Sequence, residues 1–560
     1  MKKHLSYIRN AKRKMLKFKA FLARAGLDEK PFQTDCFEWC LARETVTTNP
    51  SKGGCGGILA LEMGLGKTII MLGLIECHFQ RHTLIILPLA LLDQWEKCIQ
   101  TYFGHQPLVY HGSRPKSLKL TLEQLKAKPI VLTTYGQISL PSEKQKNRGR
   151  LPSRLHAIHW DRIICDEGHH VSHKETNEFK GVLALQATIR WLVTGTPIQN
   201  NESELYNLFQ ILGIKKEKEK EKEKEKEIDG KSNVEKYTEL VQKFVYHQTK
   251  AGVGIQLPAL HHHMEIVPWT NESEREFSLH LHSLLQFCHV ERKPIATAIA
   301  AETSEYALMM QYVMRARQMC IYPPMLQNTT IKPFAALLQK EKEKENENEY
   351  PTLHLAEVAV SESKMNAVIK TIAARRGNGS GKIVFCHFYA EIDILEKRLK
   401  EEHGFTKIKK LDGRIKSNKI KQQILSDPDN EVLLAQIKMC REGLNLQENY
   451  SEVYFPSPHF NPATEDQSIA RCWRIGQKKE VYVFRFMMAD EKKEAAIASE
   501  AANGGGGGLP PEAVDAENKG GTLPSYSIDS YSVKLQNTKR EIIEKMETAA
   551  QRGSAPTTPL

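Results

Sequence analysis

A chain of 560 residues is too long for one hydrophobic core and predicts about two to four compact units. Lysine and arginine total 79 against 67 aspartate and glutamate, and the formal charge of +12 suits a polyanion partner without requiring one. The 11 cysteines include no CxxC pair, which excludes a zinc ribbon or RING. Their place in apolar runs such as Ile164-Cys165 and Phe385-Cys386 predicts reduced thiols in an intracellular protein. No stretch reaches the ~18–20 apolar residues of a membrane span, and residues 1–26 lack the apolar core of a signal peptide.

Residues 1–29 read as a basic helical arm, with Arg9, Lys12, Arg13, Lys14, Lys17 and Lys19 close together. A solvated helix face explains them as well as nuclear targeting or contact with a DNA backbone does. From 30 to 213, the short apolar runs Gly57–Ala60, Thr83–Leu87, Ile130–Thr133, Ile163–Cys165 and Trp191–Val193 alternate with helical stretches. That alternation predicts a parallel α/β sheet. Residues 214–355 read as mainly helical protrusions, with alternating Lys/Glu runs at Lys215–Glu227 and Glu341–Glu349 that no core can bury. A second α/β region spans 356–500, with Lys382–Phe385, Val432–Leu434, Glu452–Phe455 and Val481–Phe484 as strands. A glycine hinge at Gly504–Gly508 opens a tail over 501–560, in which Tyr531–Met546 is the helical part. His261-His262-His263 lacks a second ligand cluster nearby and is expected in a strand; Cys36 and Cys40 are expected to pack a helix into the core.

Two motifs carry chemistry. Gly64-Leu65-Gly66-Lys67-Thr68 stands between the apolar runs Gly57–Ala60 and Ile69–Ile75. Strand, glycine loop and helix N-terminus form a phosphate cradle, in which Lys67 reaches the β- and γ-phosphates of ATP and Thr68 ligates Mg2+. Arg162–His169 places Asp166 and Glu167 at the end of an apolar strand. Asp166 is suited to hold Mg2+, directly or through water, and Glu167 to polarise an attacking water. Either motif alone has a structural explanation, a chance GKT or two capping carboxylates. Their joint occurrence in this order does not.

The stretch Gly56–Thr68 resembles the nucleotide loop of Swi/Snf-type ATPases of helicase superfamily two, and Asp166-Glu-Gly-His169 resembles the DEGH box of the Rad-type repair translocases and a transcription-termination ATPase. Further segments resemble the family's motifs in order. They are Gln33 with Trp39, Gln94-Trp95, Leu132–Tyr135, Arg190–Asn201, Arg315–Cys320, Lys382–Cys386, Leu411–Gly413, Gly443–Leu446 and Asn461–Gln477. The resemblance covers roughly residues 30–490 and implies an α/β fold of two tandem RecA-like parallel-sheet lobes with helical protrusions between them. It assigns adenine contact to Gln33, nucleotide contact to Gln467, and arginine fingers to Arg471 and Arg474. Positions 467, 471 and 474 fall at i, i+4 and i+7, so one helical face is expected to present Gln467, Arg471 and Arg474. Double-stranded DNA is the implied track, with Gln94, Thr133, Thr134, Lys438 and Arg441 as candidate contacts.

The implied activity is that of an ATP-dependent DNA translocase that remodels or displaces DNA-bound proteins such as histones or transcription machinery, in a nucleus or a viral replication compartment. The competing readings are a catalytically weak DNA-binding scaffold and a strand-separating helicase. Ubiquitin-ligase activity is not expected, because residues 324–360 carry a charged loop where RING-bearing relatives have cysteines. Departures from the family pattern fall at Leu61, at Tyr246–Lys250, where paired arginines are missing, at Lys438–Arg441, and at His459-Phe460. They leave Lys67, Asp166, Glu167, Arg471 and Arg474 in place and put the coupling of hydrolysis to DNA in question.

Overall fold

The computed structural model describes residues 2–45, 55–197, 203–214, 233–272, 274–276, 278, 313–326, 362–415, 417–442, 444–489 and 528–553. The chain divides into two compact units. One comprises Met1–Leu257, Asn461–Ala463 and Thr538–Leu560, the other Pro258–Phe460 and Thr464–Asn537.

The first unit holds seven strands: β1 (Cys55–Leu61), β2 (Thr83–Leu87), β3 (Leu108–Val109), β4 (Ile130–Thr134), β5 (His159–Asp166), β6 (Gln186–Val193) and β7 (Val245–Gln248). They pair in the order β3-β4-β2-β5-β6-β1-β7, all parallel. Thr83–Leu87 is buried at every position, as a parallel strand covered on both faces must be. Helices α1 (Lys2–Arg24), α2 (Pro31–Thr45), α3 (Lys67–Cys77) and α4 (Leu92–Phe103) belong to this unit.

The second unit has six strands: β8 (Leu260–Val267), β9 (Gly381–Cys386), β10 (Ile408–Leu411), β11 (Val432–Gln436), β12 (Tyr450–Phe455) and β13 (Val481–Met488). They run parallel in the order β10-β11-β9-β12-β13-β8. Both units are therefore parallel-sheet α/β lobes, as expected.

Three expectations change. The stretch assigned to helical protrusions contains two strands, for β7 extends the first sheet beside β1 and β8 forms the edge of the second beside β13. The triplet His261–His263 lies in β8, a strand as expected. This strand is largely exposed, so no apolar alternation announces it. The basic arm is not solvated all round. Phe18, Phe21 and Leu22 are buried in the core, and the Phe18 ring stacks on Phe37 at 4.1 Å. Glycine is required at position 73, where a Cβ would come within 2.3 Å of the Phe18 ring. The tail helix runs over Ile528–Gly553, longer than read, and buries Asp529 in an ion pair with Lys364. Cys36 and Cys40 are fully buried. Among the described residues, no helix is long and apolar enough to cross a membrane, and no group of three or more His, Cys, Asp or Glu is arranged to hold a metal.

Candidate nucleotide site and polyanion-facing segments

The glycine loop joins β1 to α3. Gly64 and Gly66 adopt φ of 92° and 86°, the left-handed region that a side chain resists. A Cβ at Gly66 would also lie 2.5 Å from Gln33 Nε2. Gln33, buried on α2, donates from Nε2 to the Leu65 carbonyl at 3.2 Å, while the Leu65 side chain is sunk in the core. The loop is thus propped from outside by an amide and anchored from inside by a leucine. Lys67 Nζ donates to the Leu61 carbonyl at 2.9 Å. The Leu61 side chain itself is fully buried in the core, so its departure from the family pattern leaves the backbone contact to Lys67 intact.

Sequence reasoning overlooked Lys250. It is buried beyond the end of β7, with Nζ 2.8 Å from Glu62 Oε1 and its backbone N–H on Glu62 Oε2 at 2.6 Å. Its Cε lies 3.8 Å from where a Gly64 Cβ would sit. This second cation flanks the loop although the paired arginines before it are missing. The only signal was that lysine persists where its neighbours change.

The acid pair closes β5. Asp166 is buried; Trp95 Nε1 donates to its Oδ2 at 2.7 Å, Tyr135 Oη to its carbonyl oxygen at 2.7 Å, and the Glu167 N–H to its Oδ1 at 3.0 Å. Burial, reinforced by the Glu167 charge, pushes the Asp166 carboxyl up to about 6, against the pull of the Trp95 hydrogen bond and the Lys67 charge. The effect of Lys67 on Asp166 places the two motifs in one electrostatic neighbourhood. Glu167 has φ of 50°, the one positive value among described non-glycine residues, which turns its side chain out of the strand direction. Its Oε2 is a buried acceptor with no hydrogen-bond partner, 3.3 Å from His169 Nδ1.

A buried ionic cluster ties the elements that carry these groups. Glu44 on α2 accepts from Arg162 Nε (2.7 Å) and Nη2 (2.5 Å) on β5, from Trp191 Nε1 (2.8 Å) on β6, and from His78 Nδ1 (2.6 Å) just beyond α3.

The candidate track residues fare unequally. Gln94 is exposed on α4 and Lys438 is exposed in the turn Ile437–Glu442. Thr133 is corrected, being wholly buried in β4 between β3 and β2, with its hydroxyl donating to the Tyr110 carbonyl at 2.9 Å. Thr134, at the strand's end, is also buried. The side chain of Arg441 lies outside the described residues.

The shared helical face of Gln467, Arg471 and Arg474 is corrected too. The helix is Pro462–Ile469, so Gln467 is helical and buried whereas both arginines follow in turns. The N–H groups of Arg471 and Cys472 bond to the Ser468 and Ile469 carbonyls at 3.2 and 2.9 Å, three residues back rather than four, which tightens and ends the helical ladder. Arg474 Nη1 donates to Asn445 Oδ1 at 2.6 Å. Burial, then the Arg471 charge, lowers the Arg474 pKa. Two neighbouring guanidiniums of this kind favour an anion.

Residues 32–325 match the SNF2-related domain, and residues 363–476 match the helicase conserved C-terminal domain. The chain belongs to the SNF2-related domain family. It is a Snf2-type, DNA-dependent ATPase. The probable global transactivator of Orgyia pseudotsugata multicapsid polyhedrosis virus is 26% identical over 442 residues, 78% of this chain and 82% of that protein. The Danio rerio DNA excision repair protein ERCC-6-like is 23% identical over 503 residues, covering 78% of this chain and 33% of its own length. Saccharomyces cerevisiae DNA repair protein RAD5 is 25% identical over 614 residues, covering 78% and 52%. The chain therefore spans about a third to a half of these two cellular relatives. A Sulfolobus solfataricus SWI2/SNF2 ATPase core solved with dsDNA is 20% identical with a TM-score of 0.36, covering 93% of this chain and 97% of that one.

Proposed function

We propose that this Snf2-type ATPase is a translocase on double-stranded DNA that remodels or displaces DNA-bound proteins such as histones or transcription machinery. In this reading it works in a nucleus or a viral replication compartment. The observation that carries the reading is the joint placement of the Lys67 loop after β1 and the Asp166-Glu167 pair after β5, in one parallel sheet and within electrostatic reach of each other.

In this reading the N–H groups of Gly64, Leu65 and Gly66 and the start of α3 hold the phosphates of ATP, while Gln33 holds the loop in register. Lys67 exchanges the Leu61 carbonyl for phosphate oxygens. The Thr68 hydroxyl and the Asp166 carboxylate form an oxygen-only donor set of the kind Mg2+ prefers, and the ion would supply charge neutralisation at the phosphates. Glu167, its Oε2 without a hydrogen-bond partner, orients the attacking water and takes its proton. Arg471 and Arg474 act as arginine fingers on the γ-phosphate, with Gln467 beside them. Gln94, Thr134, Lys438 and Arg441 belong to the segments that follow the DNA backbone, a contact without sequence preference.

Phosphate release with and without duplex DNA, for wild type and Lys67→Ala, tests the ATPase assignment. Displacement of a third strand from a triplex tests translocation. Stimulation by duplex, abolished by Lys67→Ala, together with triplex displacement, is expected. Stimulated hydrolysis without displacement would sink the translocase.

A further inference from the structure

Asp166 is held by two side chains from the segments that follow the strand ends of β2 and β4. Trp95 stands on α4, one residue after the exposed Gln94. Its indole N–H donates to the Asp166 carboxylate at 2.7 Å, with both groups buried. Tyr135 comes directly after Thr134 at the end of β4, and its hydroxyl donates to the Asp166 carbonyl at 2.7 Å.

A second limb leads from Tyr135 to the other carboxylate. The Tyr135 ring stacks on His170 with centroids 5.3 Å apart and an angle of 23°. His170 stacks on His169 at 4.9 Å and 25°. His169 Nδ1 lies 3.2 Å from Thr194 Oγ1 and 3.3 Å from Glu167 Oε2.

Packing alone would be met by phenylalanine at both positions. Instead, an N–H and an O–H converge on one residue, and the bond to the carboxylate is of the charge-assisted kind that tolerates little lengthening. A small shift of α4, or of the turn after β4, therefore has to move Asp166 or break a bond to it. We propose that Trp95 and Tyr135 are positioning residues that make the placement of Asp166, and through His170 and His169 that of Glu167, depend on what is bound at the exposed start of α4 and at the turn after β4, where Gly136 is exposed. Duplex bound there favours one placement of the acid pair, and by reciprocity the nucleotide bound at that pair changes duplex affinity. The inference rests on the DNA-track reading above.

The test uses the full chain with Trp95→Phe and Tyr135→Phe, which remove one donor each and keep a ring. Binding of a fluorescent ATP analogue is measured with and without a short duplex, and duplex stimulation of kcat is measured in parallel. In wild type, duplex is expected to change both. In each variant, the change in nucleotide affinity falls to within twofold of none, and stimulation of kcat drops at least tenfold. Variants with wild-type linkage and stimulation would overturn the inference and leave the DNA-track reading standing. So would an equal loss of turnover with and without duplex, which marks a merely structural role. A wild type that responds to duplex in neither measurement removes the track reading and the inference with it. Should Trp95→Phe fail to fold, Tyr135→Phe, which lacks one oxygen, carries the same outcomes.

Discussion

Glu44 lets the ionic cluster in the first lobe be weighed. Its carboxylate is fully buried and meets four donors, two of them on the fully buried Arg162 side chain. Replacing it by alanine leaves that guanidinium inside the protein with only the His78 carbonyl at 2.8 Å, and Arg162 Nη1 is already unpartnered. Stranding one member of a buried pair costs about 3–5 kcal/mol, which lowers the melting temperature of a lobe this size by roughly 6–20 °C. The pair Glu44→Met with Arg162→Met removes both charges and should recover most of that loss. The pH dependence has a definite sign. Burial pushes the Glu44 carboxyl up, but Arg162 and the His78 hydrogen bond outweigh it and hold the group below its usual range. A depressed folded-state value gives stability that is present above the unfolded value of about 4.3 and is lost as pH falls through the folded one. The gap between wild type and Glu44→Ala is therefore full at pH 7 and narrows below about pH 4, as read from melting curves. A single-variant loss under about 1 kcal/mol, or a double variant as unstable as the sum of the singles, would refute the reasoning.

Further outcomes are expected elsewhere. Burial pushes the Glu391 carboxyl up to about 7, although it accepts the backbone N–H groups of His387 and Phe388. A raised folded-state value gives stability that is full below the unfolded value and lost as pH rises through about 7. Glu391→Gln should therefore be more stable than wild type at pH 8 by about 1–3 kcal/mol, and equal stability at pH 8 would count against it. Gly66→Ala should displace Gln33 and raise KM for ATP several-fold. Because both changes act through the Leu65 carbonyl contact, adding Gln33→Ala should worsen it little, whereas additive effects would separate the two residues. Thr133→Val should keep duplex affinity within about twofold and cost about 1 kcal/mol of stability. Lys438→Ala should weaken binding and lessen the salt slope by about 0.9, both read by titration at several salt concentrations.

What the sequence disclosed well was whatever rests on contiguous residues. Runs such as Leu84–Leu87 and Val432–Ala435 are apolar throughout because they lie in interior strands, covered on both faces. The loop Gly64–Thr68 and the pair Asp166-Glu167 were visible because phosphate and metal chemistry needs those residue types at fixed spacing. Edge strands gave weaker signals. Strand β3 has only two residues, and β8 is largely exposed, so neither carries the apolar signal that burial imposes, and β8 was expected only at His261–His263.

The misses at the site share one cause. Thr133 was a candidate through the resemblance of the segment Leu132–Tyr135 to a family motif, yet its hydroxyl is spent on a carbonyl 23 residues away in the chain. Arg471 and Arg474 looked helical because their spacing is helical, but the N–H groups of Arg471 and Cys472 bond to carbonyls three residues back, and the α-helical ladder ends at Ile469. Glu44, Trp95 and Tyr135 drew no notice as site residues, since a glutamate, a tryptophan and a tyrosine in apolar helices and turns each have ordinary explanations. Only the fold shows that all three aim at β5, with Glu44 on Arg162 near its start and the aromatic pair on Asp166 at its end. The strand is gripped at both ends by side chains 31 to 118 residues distant in sequence. That grip lets one carboxylate report on several surfaces, and it lies beyond any reading of local spacing.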